Sequence, residues 1–353
     1  MYVGGSGFGN YSKIQDAIND SSNRDIVYVF SGVYYENVIV NKSIDLMGEN
    51  KTSTIIDGKR KGDTIHVIAK DVTLCGFTVK NGSLGNEKNI SNWYYAGIRL
   101  TASGSIIYGN NLCQSTLGIF GKKVTNITIF NNDFIGDGIT FSLYDVESAS
   151  NSFCEKYFIH TIYNNTVNGK PLIYLEGESD KSINDAGQII LVSCTNMTIS
   201  DVNLTNADFG CILVNCSKCL VKDSNISSGD GVLWLIHSNN NRIQNNRISH
   251  NFEGVCLDCK STQNFIIYNT ISNNDWCGII VEDGSNFNRI IKNNFIENKY
   301  NAFFYNSFFN RWARNYWCDW PGIIPKPIYG PKEHPFRIWS WLNWDWFPAI
   351  AEY

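Results

Sequence analysis

Four side chains in the second half of the 353-residue sequence have the types and spacing to do chemistry: His237, Asp258, Lys260 and Glu282. They sit at the ends of short apolar runs, GVLW, GVCL and GIIV. Aligning those runs on the small residue that follows each one stacks Cys194, Cys216, Ser238, Ser261 and Ser285 in a column. In that register, alternation points Leu233, Leu235 and His237 outward from one repeat and Cys256, Asp258 and Lys260 from the next, followed by Ile280 and Glu282. Asp258 and Glu282 then share a column about 5 Å apart, with His237 and Lys260 in the neighbouring one. Two carboxyl groups that close raise one another's pKa and can serve as general acid or base. The same pair could hold a calcium ion against a uronate. A solvated ladder of Asp258, Lys260 and Glu282 is the structural alternative.

The sequence also holds eleven cysteines, four of them in two CxxC motifs, Cys216–Cys219 and Cys256–Cys259. Four thiolates suit zinc, but the two motifs lie two repeats apart, about 10 Å, against Zn–S bonds of about 2.3 Å. No metal site is assigned. Cys194 and Cys216 stack on adjacent repeats within the Cα range of a disulfide, which is the preferred pairing. The odd total leaves at least one thiol free or paired with another chain. Copper handling would want exposed Cys, Met or His clusters, whereas there are three methionines and five dispersed histidines, at 66, 160, 237, 250 and 334. The acidic stretch EGESDKSIND, with Glu176, Glu178, Asp180 and Asp185, does not match an EF-hand loop and reads as solvated, with weak calcium binding as the alternative. No other cofactor is implied.

These residues need a scaffold that repeats. YGNNL, FNNDF, YNNTV, SDVNL, KDSNI, QNNRI, IYNTI and KNNFI align Asn111, Asn132, Asn165, Asn203, Asn225, Asn246, Asn269 and Asn294, mostly 21 to 25 residues apart. A period in the low twenties with β-branched runs and polar turns is a solenoid signature, and stacked amides can hydrogen-bond along such a column. The expected fold is all-β: a right-handed single-stranded parallel β-helix of about ten coils. Residues 1–25 form an N-terminal cap, with Ile14, Ala17 and Ile18 on one face of a short helix. Residues 26–309 form the β-helix, irregular at 144–186, and 310–353 a Trp/Pro-rich C-terminal cap, all in one domain. Seven of the ten tryptophans lie in that last segment. Trp339, Trp341 and Trp344 are its candidates for stacking on sugar rings.

The formal net charge of −4 argues against nucleic acid or an anionic membrane as partner. No apolar run is long enough to span a bilayer. The first residues, MYVGGSGFGNYS, lack the pattern of a signal peptide, yet the cysteines and the dense Asn-x-Ser/Thr sequons point to an extracellular or cell-surface location.

The repeats resemble those of the carbohydrate-binding and sugar-hydrolase parallel β-helix superfamily, in particular its NosD-like group. The opening IQDAIND…DIVYVFSGVYYENVIVNKSIDLMGENKTSTIIDG is similar to the first coils of that group and of pectinesterases, and the tail RNYWCDW…PKPIYG…WLNWDWFPA to the close of archaeal surface proteins of this kind. The resemblance implies the β-helix fold and a choice of roles: lyase, hydrolase, epimerase, copper maturation or surface layer. The Asn-Thr-Asp and Gly-His-Gly motifs of polygalacturonases, the Asp-Pro-His-Glu of mannuronan epimerases, the pectinesterase nucleophile motif and the pectate-lyase arginine pattern are all absent. The expectation is therefore a structural or carbohydrate-binding surface protein rather than an enzyme. Its partners would be a glycan or other copies of itself, joined as a homo-oligomer or polymer, by disulfides among other contacts. Ile212, Val214, Leu233 and Leu235 would supply an outward apolar patch. The alternatives are a polysaccharide lyase, epimerase or glycoside hydrolase acting on an acidic glycan through His237, Asp258, Lys260 and Glu282, and a copper- or metal-handling periplasmic protein.

Overall fold

A computed structural model describes residues 1–83, 95–142, 153–229, 233–330 and 343–353. The chain divides into two compact units, Met1–Leu172 and Ile173–Tyr353. The repeat is broken where they meet in sequence: Thr166 and Val167 pair antiparallel with Pro171 and Lys170 instead of running on in parallel. Each unit is a right-handed parallel β-solenoid whose coils are short strands joined by tight corners. The coils of the two units come to about thirteen, not ten. Three of the coils lie in residues 26–100, ahead of the aligned asparagine column.

In the first unit the helix spans Ile14–Asp20 and buries Ile14, Ala17 and Ile18. Glu36 accepts the backbone N–H groups of Ile14 and Gln15 at 2.9 and 3.0 Å, so a carboxylate from the first coil meets the free donors of the helix start. The face that begins each coil runs through Ile26–Val29, Asp45–Gly48, Thr73–Cys75, Ile106–Tyr108, Thr128–Phe130 and Thr161–Tyr163. Its outward column stacks Tyr108, Phe130 and Tyr163 at 4.9 and 5.1 Å between ring centroids.

In the second unit the long-strand face runs through Gln188–Val192, Cys211–Val214, Leu233–Ile236, Glu253–Asp258, Cys277–Val281 and Tyr300–Phe304. Ile189, Leu191, Cys211, Leu213, Leu233, Leu235, Val255 and Leu257 point into the core. Leu233 and Leu235 are thus inward, against expectation, and Trp234 and Ile236 take the outward places beside Cys256 and Asp258. Ile212 and Val214 stand in those outward columns as expected, although both are buried.

Corners demand left-handed backbone, which asparagine tolerates better than most residues, and many corner residues here have positive φ, among them Asn196, Asn240 and Asn245. Beside the corners lie buried amide ladders. In the first unit Asn110 and Asn132 donate from backbone N–H to the side-chain oxygens of Asn132 and Asn165, each at 3.0 Å. In the second unit Asn246, Asn269, Asn293 and Asn315 do the same along one corner, and Asn241, Asn264, Asn288 and Asn310 along another. Asn132, Asn165, Asn246 and Asn269 are ladder members as expected. Asn111 and Asn294 are not: the ladder uses the preceding Asn110 and Asn293. Asn203 and Asn225 fall in that same off-ladder column, where Asn225 pairs with Asn203 and Arg247.

One ladder ends on Asp345, which is fully buried. Its carboxylate accepts the backbone N–H groups of Arg314 at 3.1 Å and Asn315 at 2.9 Å, the Asn315 amide at 3.0 Å and the Trp317 indole at 3.1 Å. A carboxylate only accepts, so it closes a column of amides whose last members have donors to spare.

Cys194 and Cys216 are free thiols, not the expected disulfide. They stack in the core one coil apart, and each donates to carbonyls instead: Cys194 to Val192 at 3.4 Å, Cys216 to Val214 at 3.3 Å. Cys219 is likewise buried.

Candidate functional site

The expected carboxylate pair lies on the outer surface of the long-strand face. Leu257 pairs with Val281, which sets Asp258 opposite Glu282, and the Glu282 N–H donates to the Leu257 carbonyl at 2.9 Å. One column over, Trp234, Cys256 and Ile280 succeed one another on adjacent coils. The Cys256 thiol donates to Glu282 Oε1 at 3.5 Å, tying the two columns together. Glu253 opens the same strand and pairs with Cys277.

The surroundings are largely apolar, with Glu253 and Glu282 half-buried at their margin. Asp258 is only 1% exposed, and Cys256, Cys277 and Ile280 are buried with it. Burial pushes the Glu253 carboxyl up to about 7, helped by the charge of Asp258. Burial, then the charges of Asp258, Glu253 and Asp283, hold Glu282 well above the usual carboxylate range, and the Cys256 hydrogen bond opposes that only weakly. The Cys256 and Cys277 thiols are raised by burial first and by the same carboxylates second. Glu253 and Glu282 are thus shifted toward their neutral forms beside two thiols shifted the same way.

The two basic candidates do not join it as expected. Ile236 pairs with Asp258, but Ser238 meets Ser261, so Cys259 and Lys260 together face the single residue His237. Lys260 is the extra residue of this bulge. It is exposed, and it lies against Gly284 of the next coil. His237 is held at φ +51°. Its Nδ1 donates to the Cys259 carbonyl at 3.0 Å, which fixes the tautomer and aims that edge of the ring at the bulge. Asp258 and Glu282 are therefore brought together, with Glu253 and Cys256 added, while His237 and Lys260 stand beside them in other columns.

Glu253 was invisible in the sequence because it precedes the glycine from which each run was read. Trp234 was missed by the inverted reading of its strand. Its indole N–H is buried without a hydrogen-bond partner among the described residues, and its ring stacks on Phe209 at 5.3 Å. Among the described residues no three His, Cys, Asp or Glu side chains are arranged to hold a metal ion. In the acidic stretch, Glu178 pairs with Lys181 at 2.9 Å and Asp180 accepts from Asn196 at 2.6 Å.

Of the three tryptophans put forward for sugar stacking, Trp339 and Trp341 lie outside the described residues. Trp344 is half-buried and stacks on the exposed Trp346 at 5.6 Å.

Residues 159–322 match the family described as periplasmic copper-binding protein (NosD), and that stretch is NosD-like. A curated relative, the probable pectinesterase/pectinesterase inhibitor 6 of Arabidopsis thaliana, is 38% identical over 158 residues. The match covers 38% of this chain and 28% of the relative's length. Among solved structures, the lacto-N-biosidase from Eubacterium ramulus has a TM-score of 0.38 at 10% identity, covering 88% of this chain and 67% of that one. The mannuronan C-5 epimerase A-module of Azotobacter vinelandii has 0.30 at 13% identity, with 90% and 83% covered. Pectin methylesterase from carrot has 0.31 at 13%, with 88% and 82% covered. Likeness of that order says nothing of activity.

Proposed function

We propose that the protein is an extracellular or cell-surface β-helix that binds carbohydrate through its outer faces and has no hydrolytic or lytic centre on the long-strand face. The observation that carries this is the closure of the expected site. A glycan-cleaving carboxylate pair must be reached by the sugar, with one carboxylate ionised as base or nucleophile. Here Asp258 is sealed, Glu253 and Glu282 are half-buried and shifted toward their neutral forms, and the outward neighbours Ile190, Ile212, Trp234 and Ile280 are buried apolar side chains. The burial of Asp258 and of its apolar neighbours supports a structural role for this face and leaves ligand contact to more exposed ones. An outward location agrees with the word periplasmic in the matched family's description. Among the described residues no helix is long and apolar enough to cross a membrane.

The test is incubation of the full chain with polygalacturonate, alginate and a neutral glucan. Binding is followed by affinity electrophoresis, and cleavage by new reducing ends and ultraviolet absorbance of unsaturated sugars. Retardation without product is expected. Product formed by the wild type and lost in Asp258→Asn would replace this reading with an enzymatic one.

A further inference from the structure

The most unusual charge pattern in the second unit lies on its first face, away from the carboxyl group. There the outward column reads Arg242, Phe265, Arg289, Arg311 on four successive coils. All three arginines are exposed. At the corner that follows, Tyr268, Lys292 and Arg314 succeed one another in the same order, and at the corner before it Phe287 and Phe309 are 58% and 68% exposed. Coils repeat at about 4.8 Å, so Arg289 stands directly over Arg311.

Like charges placed opposite one another across strands are unfavourable. Among the described residues none of Arg242, Arg289, Lys292, Arg311 and Arg314 forms an ion pair, although the buried Asp345 carboxylate accepts the Arg314 backbone N–H at 3.1 Å. The nearest acid on the same corner column, Asp223, is taken by Lys222 at 3.0 Å and accepts from Asn245. The Arg242 Nε–H donates to Gln244, which is neutral. A chain of net charge −4 thus concentrates five unpaired cations on one strip of about four coils.

We infer that this strip binds an acidic polysaccharide, a uronate- or sulfate-bearing chain laid along the coil axis. This deepens the carbohydrate-binding reading and rests on it. Two features select a glycan over the other common polyanion. A single-stranded nucleic acid needs aromatic faces free for its bases. Here the aromatic groups are engaged: Phe287 and Phe309 stack on each other at 5.6 Å and 10°, the Arg289 guanidinium covers Phe265 at 4.9 Å, and Tyr268 accepts from Lys292 Nζ at 2.8 Å and meets the Tyr353 ring edge-to-face at 6.1 Å. What remains outward is a row of planar guanidinium forks, suited to bidentate contact with carboxylate or sulfate, edged by ring rims that can meet the apolar faces of sugars. The short reach of the strip suits a stretch of a few sugar residues.

The test titrates the full chain with oligogalacturonate, heparin oligosaccharide, a neutral gluco-oligosaccharide and an oligothymidylate, at about 0.05 M and about 0.5 M salt. Tight binding of at least one acidic glycan at low salt is expected, weakened strongly at high salt. It should be lost about tenfold or more in Arg289→Glu/Arg311→Glu and kept in Arg247→Glu, an exposed arginine of the next face. Uronate and sulfate arms separate the two anion chemistries. Equal binding by the Arg289→Glu/Arg311→Glu variant, or tighter binding of the oligothymidylate, overturns the inference. Binding of the neutral glycan alone, unchanged in the variant, overturns it too while leaving the carbohydrate-binding reading standing; no glycan binding of any kind removes both.

Discussion

Glu253→Gln is expected to make the protein less sensitive to rising pH, and the size of the effect follows from its environment. In the folded state burial and the charge of Asp258 raise this carboxyl from an ordinary 4.5 to about 7. A carboxyl whose pKa is raised by folding binds more protons folded than unfolded. Its contribution is therefore fully present below pH 4.5 and is lost as pH climbs through about 7. A shift of that size is worth about 3 kcal/mol over the window, most of it above pH 5. Glutamine keeps the shape and cannot ionise, so the variant should match the wild type near pH 5 and exceed it by about 2 to 3 kcal/mol at pH 8. Urea unfolding followed by tryptophan fluorescence at the two pH values reads this directly. If wild type and variant lose stability in parallel between pH 5 and pH 8, the claim that Glu253 is held neutral by burial is wrong.

Further outcomes follow from the same geometry. Asn269→Ala should cost about 3 kcal/mol in urea unfolding, because it strands two buried donors of Asn246. Asn225→Ala, one column away on the outer face, should cost less than about 1 kcal/mol, and equal losses would contradict the ladder register. Asp345→Asn should destabilise the second unit by about 3 kcal/mol by pointing an amide at donors that need an acceptor, visible as a lowered unfolding midpoint. Alkylation of the denatured chain without reductant should label both Cys194 and Cys216, and recovery of a Cys194–Cys216 cross-linked peptide would contradict the free-thiol core.

How far the sequence revealed this molecule depended on whether one side of a strand looked different from the other. The period and the capping helix were legible because β-branched runs alternate with polar corners and Ile14, Ala17 and Ile18 share a helical face. The asparagine ladders were legible as a class but slipped by one residue at Asn111 and Asn294, where a doublet offers two candidates and a one-residue shift moves a side chain to the other face. The same slip inverted Leu233 and Leu235. In GVLWLIH both faces are apolar, so no alternation remained to choose between them, whereas Asp258 in GVCLD marks its own face. Lys260 was misplaced because a bulge has no signature in a single sequence. The closure of the Asp258–Glu282 face was not legible at all, since burial of an outward column depends on the whole fold.

On this reading Asp258 and the carboxyl groups beside it are structural, and carbohydrate is bound without being cut. Prolonged incubation of the full chain with a defined acidic oligosaccharide, resolved by chromatography beside a calorimetric titration of the same pair, tests it most directly. Saturable binding with the oligosaccharide recovered intact, unchanged in Asp258→Asn, is expected. Shortened or epimerised product that disappears in Asp258→Asn would contradict it.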